Sequence, residues 1–140
     1  MAFDYGLRQI GAAVGNTELG TTRSLHVLKA REGVPNWSEV EALVQEWQPD
    51  ILVVGEPLNM DGSASELSRR AHKFARRLEG RLGLRVTLVD ERLSSFEAKQ
   101  ISRERGHRGD YQREPVDSLA AELILKTWLA AEGGRETSDD

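Results

Sequence analysis

Cysteine is absent from the 140 residues, which excludes a disulfide framework, a thiolate metal site and a cysteine nucleophile. Any metal must then sit on oxygen or histidine. Long apolar runs are missing too: none exceeds four residues, as at Ile51 to Val54, against the roughly 20 that a membrane-spanning helix needs. The start, Met1 Ala2 Phe3 Asp4, has neither the basic flank nor the apolar stretch of a secretory signal. A cytoplasmic chain with no membrane partner is expected. Histidine is scarce, and His26, His72 and His107 are scattered without ligand spacing. No internal repeat or low-complexity block occurs.

What is present is the composition of one globular unit, 39% apolar and 30% charged. We expect a single domain over residues 1–132 and a disordered tail over residues 133–140, where the composition turns polar and glycine-containing. The net charge of −4 conceals a partition. Residues 69–113 hold 13 basic and 6 acidic side chains, whereas the rest of the chain holds 6 basic and 17 acidic. At helical spacing, Arg70, Lys73, Arg77 and Arg81 form one stripe opposite Leu67, Ala71, Phe74, Leu78 and Leu82. Such a stripe fits the footprint of a polyanion, and it fits a solvated helix face equally well.

Alternation predicts three strands, Ala2 to Tyr5, Gln9 to Gly15 and Thr22 to Lys29, the last two joined as an antiparallel hairpin through Asn16 to Gly20. Helical spacing follows from Trp37 to Trp47, with Asn36 and Glu39 as a capping pair and Pro49 as a stop. Ile51 to Val54 reads as a strand buried on both faces. A turn-rich loop then leads to the basic amphipathic helix, capped by Ser63 and Glu66 and ended by Gly83. Val86 to Val89 is a strand running into Asp90, Glu91 and Arg92. Ser94 and Glu97 can cap a short helix to about Arg105, and Gly106 to Glu114 reads as a mobile connection. Pro115 suits the start of a last helix that packs through Val116, Leu119, Ala120, Leu123, Ile124 and Leu129. The order β-β-β-α-β-α-β-α-α indicates a mixed α/β sheet.

In such sheets ligands lie beyond the carboxyl ends of the strands, so acids there invite a chemical reading. Asp4, the Asp90–Glu91 pair and Asp117, in the first turn of the last helix, are the candidates. Gathered together they would repel one another, and a divalent cation relieves that repulsion. Oxygen-only ligands favour magnesium or manganese. Taken singly, Asp4 before a glycine fits a turn, Glu91 a surface pair with Arg92, and Asp117 a partner of the helix dipole.

Asp4 Tyr5 Gly6 with Ile10 Gly11, Val53 Val54 Gly55 with Pro57 to Gly62, Asp90 to Ser94, and Val116 Asp117 Ser118 with Ala120 Ala121 closely resemble the YqgF (RuvX) family, over Met1 to about Ala131. The resemblance implies an RNase H-like fold, an α/β five-stranded mixed sheet with its second strand antiparallel and helices on both faces. It also implies a nuclease role in maturing the 5′ end of pre-16S ribosomal RNA, with Asp4, Glu91 and Asp117 as the acidic site. One or two Mg2+ or Mn2+ ions held there would serve phosphodiester hydrolysis. Arg8 and Arg92 would neutralise phosphate, Asn59 and Ser94 would bond backbone or sugar, and Lys73, Arg77 and Arg108 would add contacts to the nucleic acid.

Four departures from the family pattern stand out. Arg8 and Gln9 replace a Lys-Arg pair, Glu56 replaces an apolar residue, Glu114 and Pro115 replace basic residues, and only three residues precede Asp4. Glu56 reads as a loop carboxylate or as a further metal acid. Two rival activities remain at this level: a dimeric Holliday-junction resolvase acting on structured DNA, and a ribosome assembly factor that grips RNA without cutting it. The first reading expects a monomer or weak homodimer with pre-16S RNA or a pre-ribosomal particle as partner. An actin-like sugar kinase shares the opening strand and turn but needs a second lobe.

Overall fold

A computed structural model describes residues 1–59, 61–91 and 116–139, with the side chains of 116–118 and 132–139 outside that description. Its strands are β1 (Ala2–Asp4), β2 (Gln9–Asn16), β3 (Thr21–Ser24), β4 (Leu28–Arg31), β5 (Val34–Pro35), β6 (Ile51–Glu56) and β7 (Arg85–Asp90). The helices are α1 (Trp37–Trp47), α2 (Glu66–Leu82) and α3 (Val116–Asp139). Along the sheet the order is β5-β4-β2-β1-β6-β7, with β3 also on β2.

The expected fold is present, with one difference in its strands. Seven strands among the described residues replace the five anticipated, because the third is interrupted and a short addition follows it. Both β3 and β4 run antiparallel to β2, Ser24 opposite Ala13 and Leu28 opposite Ile10. Between them, the Leu25 N–H donates to the Ala12 carbonyl at 2.8 Å and keeps the chain on the ladder. Two strand segments along one edge of β2 thus do the work of one bent strand. Gly33, at φ 84°, turns the chain so that β5 folds back on β4. The β2–β3 hairpin closes as expected: Asn16 accepts from the Glu18 and Leu19 N–H groups at 2.8 and 3.1 Å.

Strands β1, β6 and β7 are parallel, Phe3 beside Val54 and Val54 beside Leu88. Their alternation splits the core in two. Phe3, Ile10 and Val54 point to the side covered by α1 and α2, where they meet Val40, Leu43, Ala71, Phe74 and Leu78. Ala2, Ala13 and Val53 point to the other side and meet Ala121, Ile124 and Leu125 of α3. Helices therefore cover both faces. Small residues on the second face let α3 lie close to the sheet, with Ala121 rather than the anticipated Ala120 fully buried.

Helix α1 starts where the sequence indicates, Asn36 Oδ1 accepting from the Ser38 N–H at 3.0 Å. Helix α2 starts two residues later than expected. Ser65, not Ser63, is its N-cap, and Ser68 completes a reciprocal box, each hydroxyl accepting from the other's N–H at 3.0 and 2.8 Å. Ser63 instead donates to the Asp61 carboxylate at 2.6 Å, within the loop. Gly83 ends α2 at φ 65°. Helix α3 keeps a helical backbone past Gly133, where composition suggested disorder. The anticipated helix from Ser94 and the connection from Gly106 lie outside the described residues.

Candidate acidic site

Alternation along β1 decides where Asp4 points. Ala2 faces α3 and Phe3 faces α2, so Asp4 faces α3, half-buried at the carboxyl end of its strand. On β6 the same rule puts Val53 and Gly55 on the α3 face and Glu56 on the opposite one. On β7 it puts Val89, and beyond it Glu91, on the α3 face. Glu91 is anchored by its N–H, which donates to the Glu56 carbonyl at 2.9 Å.

Gly55 is what makes room for Glu91. A Cβ at this position would stand 2.8 Å from Glu91 Cγ, 2.9 Å from Glu91 Oε1 and 2.5 Å from Ile124 Cδ1. Glu91 therefore lies back across β6, filling the space that a side chain at residue 55 would take. Phe3 pairs with Val54, so the next step in register sets Asp4 beside Gly55. The Glu91 carboxylate thus reaches a point one strand from Asp4, an interval of about 4.8 Å between backbones.

Asp117 stands in the first turn of α3, four residues before Ala121 and hence on the same side of the helix. Ala121 packs with Ala2 and Val53 on the face that Asp4 and Glu91 share. The helix is pinned in rotation by Glu122, which accepts from Thr22 Oγ1 at 2.6 Å and Ser24 Oγ at 2.8 Å. Among the described residues no three histidine or acidic side chains form a metal site by themselves. The side chain of Asp117 lies outside them.

Glu56 is neither an exposed loop carboxylate nor a member of this acidic group. It is the last residue of β6, on the α2 face, with its carboxylate bound to His72 Nε2 of α2. Asn59 stays in its loop, its amide donating to Ser63 Oγ at 3.0 Å. Arg8 is exposed on the β1–β2 turn, and Lys73 and Arg77 are exposed on α2. Arg92, Ser94 and Arg108 lie outside the described residues. Tyr5, next to Asp4, points to the α2 side and donates to the Gly33 carbonyl at 2.9 Å. Burial pushes its phenol above the usual value, against the opposing pull of Arg70 and Arg77.

Sequence reasoning missed the gap at Gly55 and the hydroxyl pair that holds Glu122. The signal for the first was available, a glycine following four apolar strand residues. The second joins residues about a hundred positions apart and leaves no local trace.

A sequence model of the RuvX family, described as Holliday junction resolvase, matches residues 1–131. A protein of Azotobacter vinelandii is 60% identical over 130 residues, covering 93% of this chain and 92% of the relative. Relatives in Chromohalobacter salexigens and Pseudomonas aeruginosa are 55% and 58% identical over the same length, covering 93% of this chain and 88% and 90% of their own. All three carry the name "Putative pre-16S rRNA nuclease". No described helix is long and apolar enough to cross a membrane. With the family model matched over residues 1–131 and this extent of identity, the chain belongs to the RuvX family.

Proposed function

We propose that the protein is a nuclease that hydrolyses phosphodiester bonds in the 5′ region of pre-16S ribosomal RNA, working in the cytoplasm with a divalent cation. The observation that carries this reading is Glu91 folded across Gly55 toward the strand of Asp4, because two carboxylates are brought to one sheet edge at the expense of mutual repulsion. The names of the relatives supply the substrate.

The donors fit the metal. Asp4, Glu91 and Asp117 offer only oxygen, the ligand set of Mg2+ or Mn2+. When bound there, such a cation would polarise the scissile phosphate and favour a deprotonated water. Asp4, on β1 between β2 and β6, holds the position of the site. Glu91 is held by its own N–H and by contact with Gly55 and Ile124, so its carboxylate has one direction to face. Asp117, on a helix fixed by Glu122, orients the attacking water. Arg8 beside the edge, with Arg92, Asn59, Ser94 and Arg108, contacts phosphate or sugar.

Asp4→Asn is the test. It should leave the melting temperature within a few degrees of the parent and abolish magnesium-dependent cutting of a 16S precursor by the purified protein. Retained cutting would remove Asp4 from the site and the metal reading with it.

A further inference from the structure

The β1–β2 turn separates two unlike sides of the molecule. Asp4 faces α3, whereas Tyr5, one residue or about 3.8 Å further along the chain, lines a cleft of about 320 Å³ on the α2 side. One wall of the cleft is α2 from Glu66 to Arg77, with Arg69, Arg70, Lys73 and Arg77, and the other is the turn into β5 at Glu32, Gly33 and Val34. Arg70 and Glu32 also belong to an adjoining hollow, lined further by Leu7, Arg8 and Arg31. The two share Glu32 and Arg70 and form one path from the turn beside Asp4 along α2 as far as Arg77.

Six cations line this path against two carboxylates, Glu32 and Glu66. Glu66 holds Arg69 and Arg70 only loosely, at 3.5 and 3.4 Å in exposed pairs. Among the described residues, Arg8, Arg31, Lys73 and Arg77 join no ion pair. Solvated cations crowded along a concave surface repel one another, and a polyanion laid among them relieves that repulsion and releases its own counterions. A second feature points the same way. Of the three large apolar side chains left exposed among the described residues, two, Leu7 at 44% and Val34 at 49%, border this path. They offer apolar contact that paired bases inside a duplex could not use.

We infer that this path seats an unpaired RNA flank of the substrate, its phosphates along Arg8, Arg31, Lys73 and Arg77, while the scissile bond lies across the β1–β2 turn at the acidic edge. This rests on the nuclease reading for its substrate and extends it by requiring single-stranded RNA beside the cut. Aromatic stacking contributes little. Tyr5 and Phe74 are buried, and Trp37 is occupied by Phe74 at 5.8 Å and by the Arg81 guanidinium at 4.6 Å. Recognition is therefore led by phosphate and tolerant of sequence.

Binding is measured in EDTA, so that cutting plays no part, with a fluorescent 12-nucleotide single strand of mixed sequence, its duplex, and a poly-glutamate peptide. Two variants address opposite walls, Lys73→Glu with Arg77→Glu on α2, and Arg31→Glu on β4. Arg85→Glu, exposed at the far end of β7, controls for net charge, and circular dichroism checks folding of each. The double variant should bind the single strand at least about tenfold more weakly. Its slope of log affinity against log salt should fall by about 1.4, the contribution of two phosphates on a single strand. Arg31→Glu should lose several-fold, Arg85→Glu nothing, and the duplex should respond less than the single strand. Parent-like binding by both wall variants, an equal loss in Arg85→Glu, or equal affinity for duplex or poly-glutamate would each overturn the inference. Failure of Asp4→Asn to stop cutting would instead count against the acidic site and leave this binding result standing.

Discussion

Gly55→Ala tests the acidic site through its packing. The added methyl would stand 2.5 Å from Ile124 Cδ1 and 2.8 to 2.9 Å from Glu91 Cγ and Oε1. Neither overlap can persist, and overpacking of this kind costs about 1–3 kcal/mol. At about 3 to 5 °C per kcal/mol for a chain of this size, the melting temperature should fall by about 3 to 15 °C. The larger consequence falls on the carboxylate. Glu91 must swing away by several tenths of an ångström or more, while metal–oxygen distances tolerate about 0.2 Å. Manganese affinity, read by water-proton relaxation, should drop by about 10- to 100-fold. Combining Gly55→Ala with Ile124→Val removes Cδ1 and relieves the first overlap while leaving the second. The double variant should therefore recover stability but not manganese affinity. Recovery of both together, or full affinity in Gly55→Ala itself, would show that the position of Glu91 is irrelevant to metal binding.

Glu122→Ala should cost about 1–3 kcal/mol in chemical denaturation, because Thr22 and Ser24 lose their acceptor; a change below about 0.5 kcal/mol would show that the tie does not hold α3. Gly33→Ala should destabilise and release the Tyr5 hydroxyl, since the new methyl would stand 2.0 Å from it at a φ of 84°; an unchanged tyrosine fluorescence and melting curve would contradict this. Burial lowers the Met1 amine from 8.0 to about 6, partly offset by Asp50. The folded form thus resists protonation, so stability is full above pH 8 and declines as the pH falls to about 6. The loss totals about 2–3 kcal/mol, at about 1.4 kcal/mol per pKa unit. On the 140-residue polypeptide, amino-terminal acetylation should abolish that slope.

Local patterns carried most of the architecture. Alternation at Phe3, Ile10 and Val54, and helical spacing from Val40 to Val44 and from Ala71 to Leu78, report burial directly, because each residue's side follows from its neighbours. Where two local solutions compete, pattern alone does not choose. Ser63 and Ser65 both precede a suitable partner by three residues, and the choice of Ser65 depends on its hydroxyl also reaching the Pro57 carbonyl at 2.9 Å. The break at Leu25 to Val27 left only a faint trace, the adjacent apolar pair Val27 and Leu28 that shifts the alternation by one residue where β4 begins. The acids at Asp4 and Glu91 were legible as strand-end residues. The way Glu91 lies back over β6 was not, because it depends on Gly55 in the neighbouring strand. Glu56 illustrates the converse: its departure from the family pattern was plain, but only the facing His72 shows that it turns to the other side of the sheet.

The two faces of the sheet close at different times during synthesis. Everything that covers the α1 and α2 face has been synthesised once Leu88 is made, whereas the opposite face waits for Ile124 and Leu125. At bacterial elongation rates of about 5–20 residues per second, the nascent chain carries Asp4 and Glu91 on an uncovered surface for about 2–7 s. Only the final helix closes that face, so a chain interrupted before it leaves Ala2, Ala13 and Val53 without their cover.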